Sequence, residues 1–136
     1  MAKRSALLHR CLVVMGAAAG VLLAIIGIRY LVSPQAAART FGVSGHPARF
    51  ELHHIIGLRN VWLGVLAVGC VVLRQWRALS LWFAIGTTVC FADAAIAASS
   101  SGRWPHIAFH VGCGLGCIGL AIAAWGRARL DPRDDG

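Results

Sequence analysis

Acidic residues are scarce in this sequence: Asp and Glu number 5 in 136 residues, and all charged residues together make up 13%. Soluble globular chains carry roughly 25%, so this composition cannot furnish an ordinary water-facing surface. C-x-x-C pairs are missing although there are 5 cysteines. A disulfide framework is therefore not indicated, and the thiols read as small packing residues. H-E-x-x-H is missing too, which removes the helical zinc-hydrolase pattern. The chain contains no long repeat, low-complexity tract or domain linker, so a single domain spanning 1–136 is expected. A basic stripe interleaved with aromatics is also lacking. The formal charge of +8 therefore does not point to nucleic acid.

Long apolar runs dominate instead, with hydrophobic residues at 58%. Four windows, 11–32, 50–73, 78–98 and 106–125, each reach the ~20 residues needed to cross a hydrocarbon layer of ~30 Å. Backbone amides in lipid must be satisfied within their own segment, so these windows are helices. The expected fold is all-α: a polytopic membrane protein built as an antiparallel four-transmembrane-helix bundle. The apolar run of the first window is about twice the 7–15 residues of a signal-peptide core, so it reads as a retained span.

Basic residues are unevenly placed. Lys3, Arg4 and Arg10 precede the first span, Arg74 and Arg77 fill the second loop, and Arg127, Arg129 and Arg133 follow the fourth. The opposite side carries only Arg29, Arg39, Arg49 and Arg103. The positive-inside rule then predicts a multi-pass cell-membrane protein with both termini cytoplasmic. Tyr30 and Trp104 are expected at the outer boundary, and Trp76 and Trp125 at the inner one.

The connections are mostly short. "RQWRA" is a tight hairpin, and "SSSGRWP" is nearly as tight, with Pro105 suited to a helix start. The first loop, "SPQAAARTFGVSGHPARF", predicts a short interfacial helix that stops at Gly42 and Pro47, with Phe41 and Val43 facing lipid. The tail 127–136 reads as disordered. Small residues recur at helical spacing on every span: Gly16, Gly20, Ala24 and Gly27; Gly57 and Gly64; Gly86 and Ala97; Gly112, Gly116 and Gly119. In lipid such faces allow close helix approach, either inside one bundle or in a homo-oligomer.

Polar residues within the spans carry the functional signal. His53 and His54 lie within a turn of the outer face, and Arg59 sits about 13 Å deeper than Phe50. Asp93 falls about one and a half turns below the outer end of the third span, and His106 and His110 open the fourth. At about 100° per residue, His53, Gly57, Asn60 and Gly64 form one stripe of the second span. Asp93 shares a face with Gly86, Cys90 and Ala97, while His106, His110, Cys113 and Cys117 form another line. Arg59 points about 100° away from Asn60.

An unpaired charge in hydrocarbon costs several kcal/mol, estimated from about 2.5 upward. A mutual Asp93–Arg59 pair is thus the economical arrangement. One reading is structural, with the pair pinning two helices. The other is chemical: Asp93, His110, Arg59 and His54 are the candidate catalytic residues, with Asp and His as an acid/base couple. His53, Asn60 and His106 are then candidate substrate-binding residues in an outward-facing cavity for a lipophilic small molecule. Cyclisation or isomerisation in a biosynthetic pathway would fit. His106 and His110, at i and i+4, could share a metal ion with Asp93, His53 or His54 as a third ligand, but without a motif such as H-E-x-x-H no metal or other cofactor is assigned. A small transporter and a non-catalytic accessory subunit are the alternatives. Compact multidrug carriers use a carboxylate in their first span, and this first span has none.

"GLRNVWLG" resembles part of a small four-span family of bacteria and fungi, a domain of unknown function. Gly57, Arg59, Asn60, Leu63 and Gly64 carry the likeness. "SPQAAARTFGV", a single Asp93 late in the third span and His110 early in the fourth continue it, from Ser33 to Trp125. The family often has an acid after the arginine, where this chain has Asn60; the departure leaves Asp93 as the partner for Arg59. The resemblance implies the same topology and marks Arg59, Asp93 and His110 as family-type positions. It implies no particular activity.

Overall fold

The computed structural model describes residues 2–43 and 51–130, with side chains from Leu7 onward. Among these residues the helices are α1 (Ala2–Val32), α2 (Pro34–Phe41), α3 (Glu51–Val72), α4 (Trp76–Ser100) and α5 (Trp104–Ala128). All but α2 are long and apolar enough to cross a membrane. Helices α1, α4 and α5 extend beyond the apolar windows because a helix needs only backbone hydrogen bonds to continue, whereas a span needs apolar side chains. Two of the tail residues, 127 and 128, thus belong to α5, and 131–136 lie outside the described residues.

The bundle is two tightly packed antiparallel pairs, α1 with α3 and α4 with α5, which touch each other far less extensively. Glycine sets the first pair. A Cβ on Gly20 would come 2.8 Å from the Gly64 carbonyl oxygen, and one on Gly27 would come 2.6 Å from that of Gly57. Backbones this close gain dispersion and Cα–H···O contacts that any larger residue would forbid. In the second pair the Phe91 ring fills the space over Gly114, 3.1 Å from where a Cβ would lie. The Ser80 hydroxyl donates to the Ala121 carbonyl at 2.8 Å. Gly112, Gly116 and Gly119 by contrast have nothing near them, so this stripe serves neither pair.

Large buried side chains gather at the end that carries the termini: Leu12, Val71, Trp76, Leu79 and Phe83 form one cluster with Ala124 and Ala128. Trp76 is fully buried, with the His9 ring edge-on at 5.4 Å. Trp76 begins α4, at the end of the span where it is expected, with its indole turned into this cluster. Tyr30 is likewise buried, stacked at a tilt against His53 at 6.0 Å. Trp104 and Trp125 do face outward. Many large apolar side chains, such as Leu22, Ile28, Trp62, Ile85 and Ile122, are exposed on the bundle's outer faces, as lipid contact requires.

The opposite end is closed by α2. Pro34 lies in its first turn, and Gly42, in the left-handed region at φ 106°, ends it. Gly42 and Val43 both donate to the Ala38 carbonyl, a glycine-terminated cap that satisfies orphan acceptors. Ala37 and Ala38 are buried. Phe41 departs from its expected lipid-facing place, because its ring packs on His110 at 4.5 Å.

Candidate functional site

The candidate residues drawn from the four spanning helices lie towards the α2 end. Asp93, half-buried on α4, has the His110 imidazole of α5 and the Arg59 guanidinium of α3 within electrostatic reach. Tyr30 of α1 lies within reach of the same carboxylate. Antiparallel packing produces this convergence: the second half of α4 lies against the first half of α5, as the Phe91–Gly114 contact records. Among the described residues, no direct salt bridge joins Asp93 to Arg59. Arg59 is exposed on α3, so the two charges act on each other through space.

His110 is the most buried of the candidates. Its Nε2–H donates to the Phe41 carbonyl at 3.1 Å. A carbonyl can only accept, so the proton of the neutral ring is on Nε2 and its lone pair is on Nδ1. Phe41 and Phe109 flank the ring at 4.5 and 5.4 Å. One turn towards the helix start, His106 Nδ1 lies 3.3 Å from the Ser101 hydroxyl, and its ring lies against Gly42 so closely that a Cβ there would stand 2.8 Å from Nδ1. The two histidines therefore have separate partners. Among the described residues no group of three or more His, Cys, Asp or Glu side chains is arranged to hold a metal ion.

The other candidates are more scattered. The stripe bearing His53, Gly57, Asn60 and Gly64 packs towards α1, where Gly57 and Gly64 meet Gly27 and Gly20. The His53 ring lies against Tyr30, and Asn60 is half-buried on the same helix. His54 is exposed and is not brought to Asp93. A separate open hollow of about 430 Å³ lies at the α1–α2 corner, lined by Ser33, Pro34, Gln35, Ala36 and Arg39; none of the candidate residues lines it.

Sequence reasoning overlooked Tyr30, the Phe41 carbonyl and Gly42. Tyr30 is the only tyrosine in the chain and could have been singled out for that. A backbone carbonyl carries no sequence signal.

No curated protein and no solved structure matches the chain. The family described as "Domain of unknown function (DUF4267)" matches residues 20–126, a stretch that includes Tyr30, Arg59, Asp93 and His110. The chain belongs to that family, and among its described residues four helices are long and apolar enough to cross a membrane.

Proposed function

We propose that the α2 end binds a lipophilic small molecule and that Asp93 and His110 act on it as an acid/base couple. The observation that carries this reading is the convergence of Asp93, His110, Arg59 and Tyr30 from four helices. It occurs away from the cluster of large apolar side chains at the other end.

The chemistry follows from the tautomer. With the Nε2 proton committed to Phe41, Nδ1 is the basic atom that takes a proton from the substrate. The carboxylate of Asp93 stabilises the imidazolium so formed. Arg59 and the Tyr30 hydroxyl supply positive charge and a hydrogen bond for negative charge that develops on a substrate oxygen. Return of the same proton to another carbon or oxygen completes an isomerisation or cyclisation with no net redox change. The sparse basic residues of the α2 end support an extracytoplasmic mouth for the site and cytoplasmic termini.

A second reading is favoured by the packing of Phe41 and Gly42 on His110 and His106: these polar groups only fix α2 to α5. Equilibrium binding of a panel of lipophilic carbonyl and phenol compounds to the protein in nanodiscs separates the two. Binding that falls about tenfold in His110→Gln, the loss of roughly one charge-assisted hydrogen bond, supports the ligand reading. No binding by any compound, or unchanged affinity in that variant, favours the structural one.

A further inference from the structure

No Asp or Glu occurs in the first 50 residues, yet Arg29 ends α1 and Arg39 lies in the last turn of α2. The open hollow of about 430 Å³ at the corner between these helices is lined by Ser33, Pro34, Gln35, Ala36 and Arg39. Its three polar side chains, the Ser33 hydroxyl, the Gln35 amide and the Arg39 guanidinium, can all donate hydrogen bonds. The Ser33 hydroxyl caps no backbone N–H of α2. Arg29 is held at the rim of the same hollow: its Nη2 donates to the Thr40 hydroxyl at 3.2 Å, and that hydroxyl donates to the Ala36 carbonyl at 2.9 Å. A guanidinium has five N–H donors, so this bond leaves Arg29 able to hold a second acceptor. The corner is thus rich in donors and positive charge, with no carboxylate in α1 or α2 to offset it.

Depth says which anion can reach it. The apolar span of α1, Leu7–Val32, has 26 residues and is about 39 Å long at ~1.5 Å per residue. The hydrocarbon layer is only ~30 Å thick, so the end of α1, next to Ser33, reaches the headgroup layer. Below it, Val21, Ile25, Ile28 and Val32 are all exposed. Their spacing of i, i+4, i+7 and i+11 places them on one stripe of the helix. The stripe is about 16 Å long and ends immediately before Ser33. An acyl chain laid along it brings its own phosphate to the corner.

We propose that the corner of α1 and α2 binds the phosphate of an anionic glycerophospholipid, with Arg39, Ser33 and Gln35 donating to the phosphate oxygens and Arg29 closing the rim. One acyl chain of the same lipid lies on the Val21–Val32 stripe. Charge selects the headgroup: a zwitterionic choline would bring its cation up to two arginines with no acid beside them, whereas a glycerol headgroup adds no positive charge. The lipid site uses none of the residues of the ligand reading above, so either can fail without the other.

The test is hydrogen exchange of 33–40 in the full chain, compared between nanodiscs of phosphatidylcholine and of phosphatidylglycerol. An anionic surface repels hydroxide and slows exchange over a whole face, so the connection 101–104, at the same end of the bundle, serves as internal reference. Relative to that reference, exchange of 33–40 should slow roughly tenfold in phosphatidylglycerol, as occupancy of about nine-tenths gives. Arg39→Gln, at an exposed position that the fold does not need, should remove most of this slowing, and Arg103→Gln should leave it unchanged. Inorganic phosphate added to the phosphatidylcholine nanodiscs should not reproduce it. Equal slowing at 33–40 and 101–104 would overturn the proposal, as would slowing that survives Arg39→Gln. Slowing by inorganic phosphate alone would overturn it too, by making the site one for a soluble anion.

Discussion

His110 Nε2–H donates to the carbonyl of Phe41 across 69 positions of chain, at 3.1 Å. The bond ties the short helix α2 to the start of α5 and fixes which ring nitrogen of His110 carries the proton. It makes the α2 segment part of the site and not a passive connection.

His110→Ala should therefore loosen α2 as well as remove the ring. The expected cost is about 1–3 kcal/mol, the range for leaving a buried carbonyl without its donor. Hydrogen exchange of 34–43 measures it: protection of this segment should fall while that of α4 is retained. His110→Gln, which keeps a donor, should restore part of the protection.

Gly42 and Gly102 provide an internal comparison. Both have positive φ, 106° and 63°, but a Cβ on Gly42 would strike the His106 ring while one on Gly102 would meet only the Ala98 carbonyl at 3.8 Å. Left-handed backbone alone costs an L-residue about 1–2 kcal/mol. Gly102→Ala should show that cost, and Gly42→Ala should exceed it, by thermal unfolding in detergent. Equal losses would mean that the His106 contact contributes nothing.

Glycines on the closed and open faces should also respond oppositely. A Cβ on Gly64 would overlap the backbone of Gly20 and crowd Ala24, so Gly64→Ala should destabilise the α1–α3 pair by about 1–3 kcal/mol, as overpacking does. Gly116→Ala meets no neighbour and should stabilise α5 by up to ~1 kcal/mol through helix propensity. A concentration-dependent loss at Gly116 would instead indicate that a second copy packs on that face.

These contrasts mark how far the sequence could be read. Spans were legible because an apolar window of sufficient length has one meaning in lipid. The interfacial helix was legible from Pro34 and Gly42, whose backbone preferences are local. Helix pairing was not: stripes of small residues occur on all four spans, and only the structure tells the buried Gly20–Gly64 contact from the open Gly112, Gly116 and Gly119. That Trp76 and Tyr30 turn inward was illegible for a related reason. An aromatic near a span end suits a headgroup boundary and a helix seam equally well, and hydropathy does not distinguish them. For the site, that Asp93 and His110 fall towards the same end of the bundle was readable from residue spacing. The role of the Phe41 carbonyl was not, because every residue has one.

Trp76 offers a stability check remote from the site. It is fully buried at the terminal end with Leu79 and Phe83, so Trp76→Ala should cost about 3–5 kcal/mol. Ligand affinity per folded molecule should not change. A selective loss of binding would place the site at the wrong end of the bundle.

The most direct measurement is made on Asp93→Asn, with unfolding midpoint and ligand affinity read from the same nanodisc preparation. The account predicts a midpoint close to that of the unsubstituted chain and an affinity about tenfold weaker, the equivalent of ~1.4 kcal/mol. A lowered midpoint that Arg59→Gln restores in the double variant, with affinity unchanged throughout, would contradict it and leave the carboxylate a packing element.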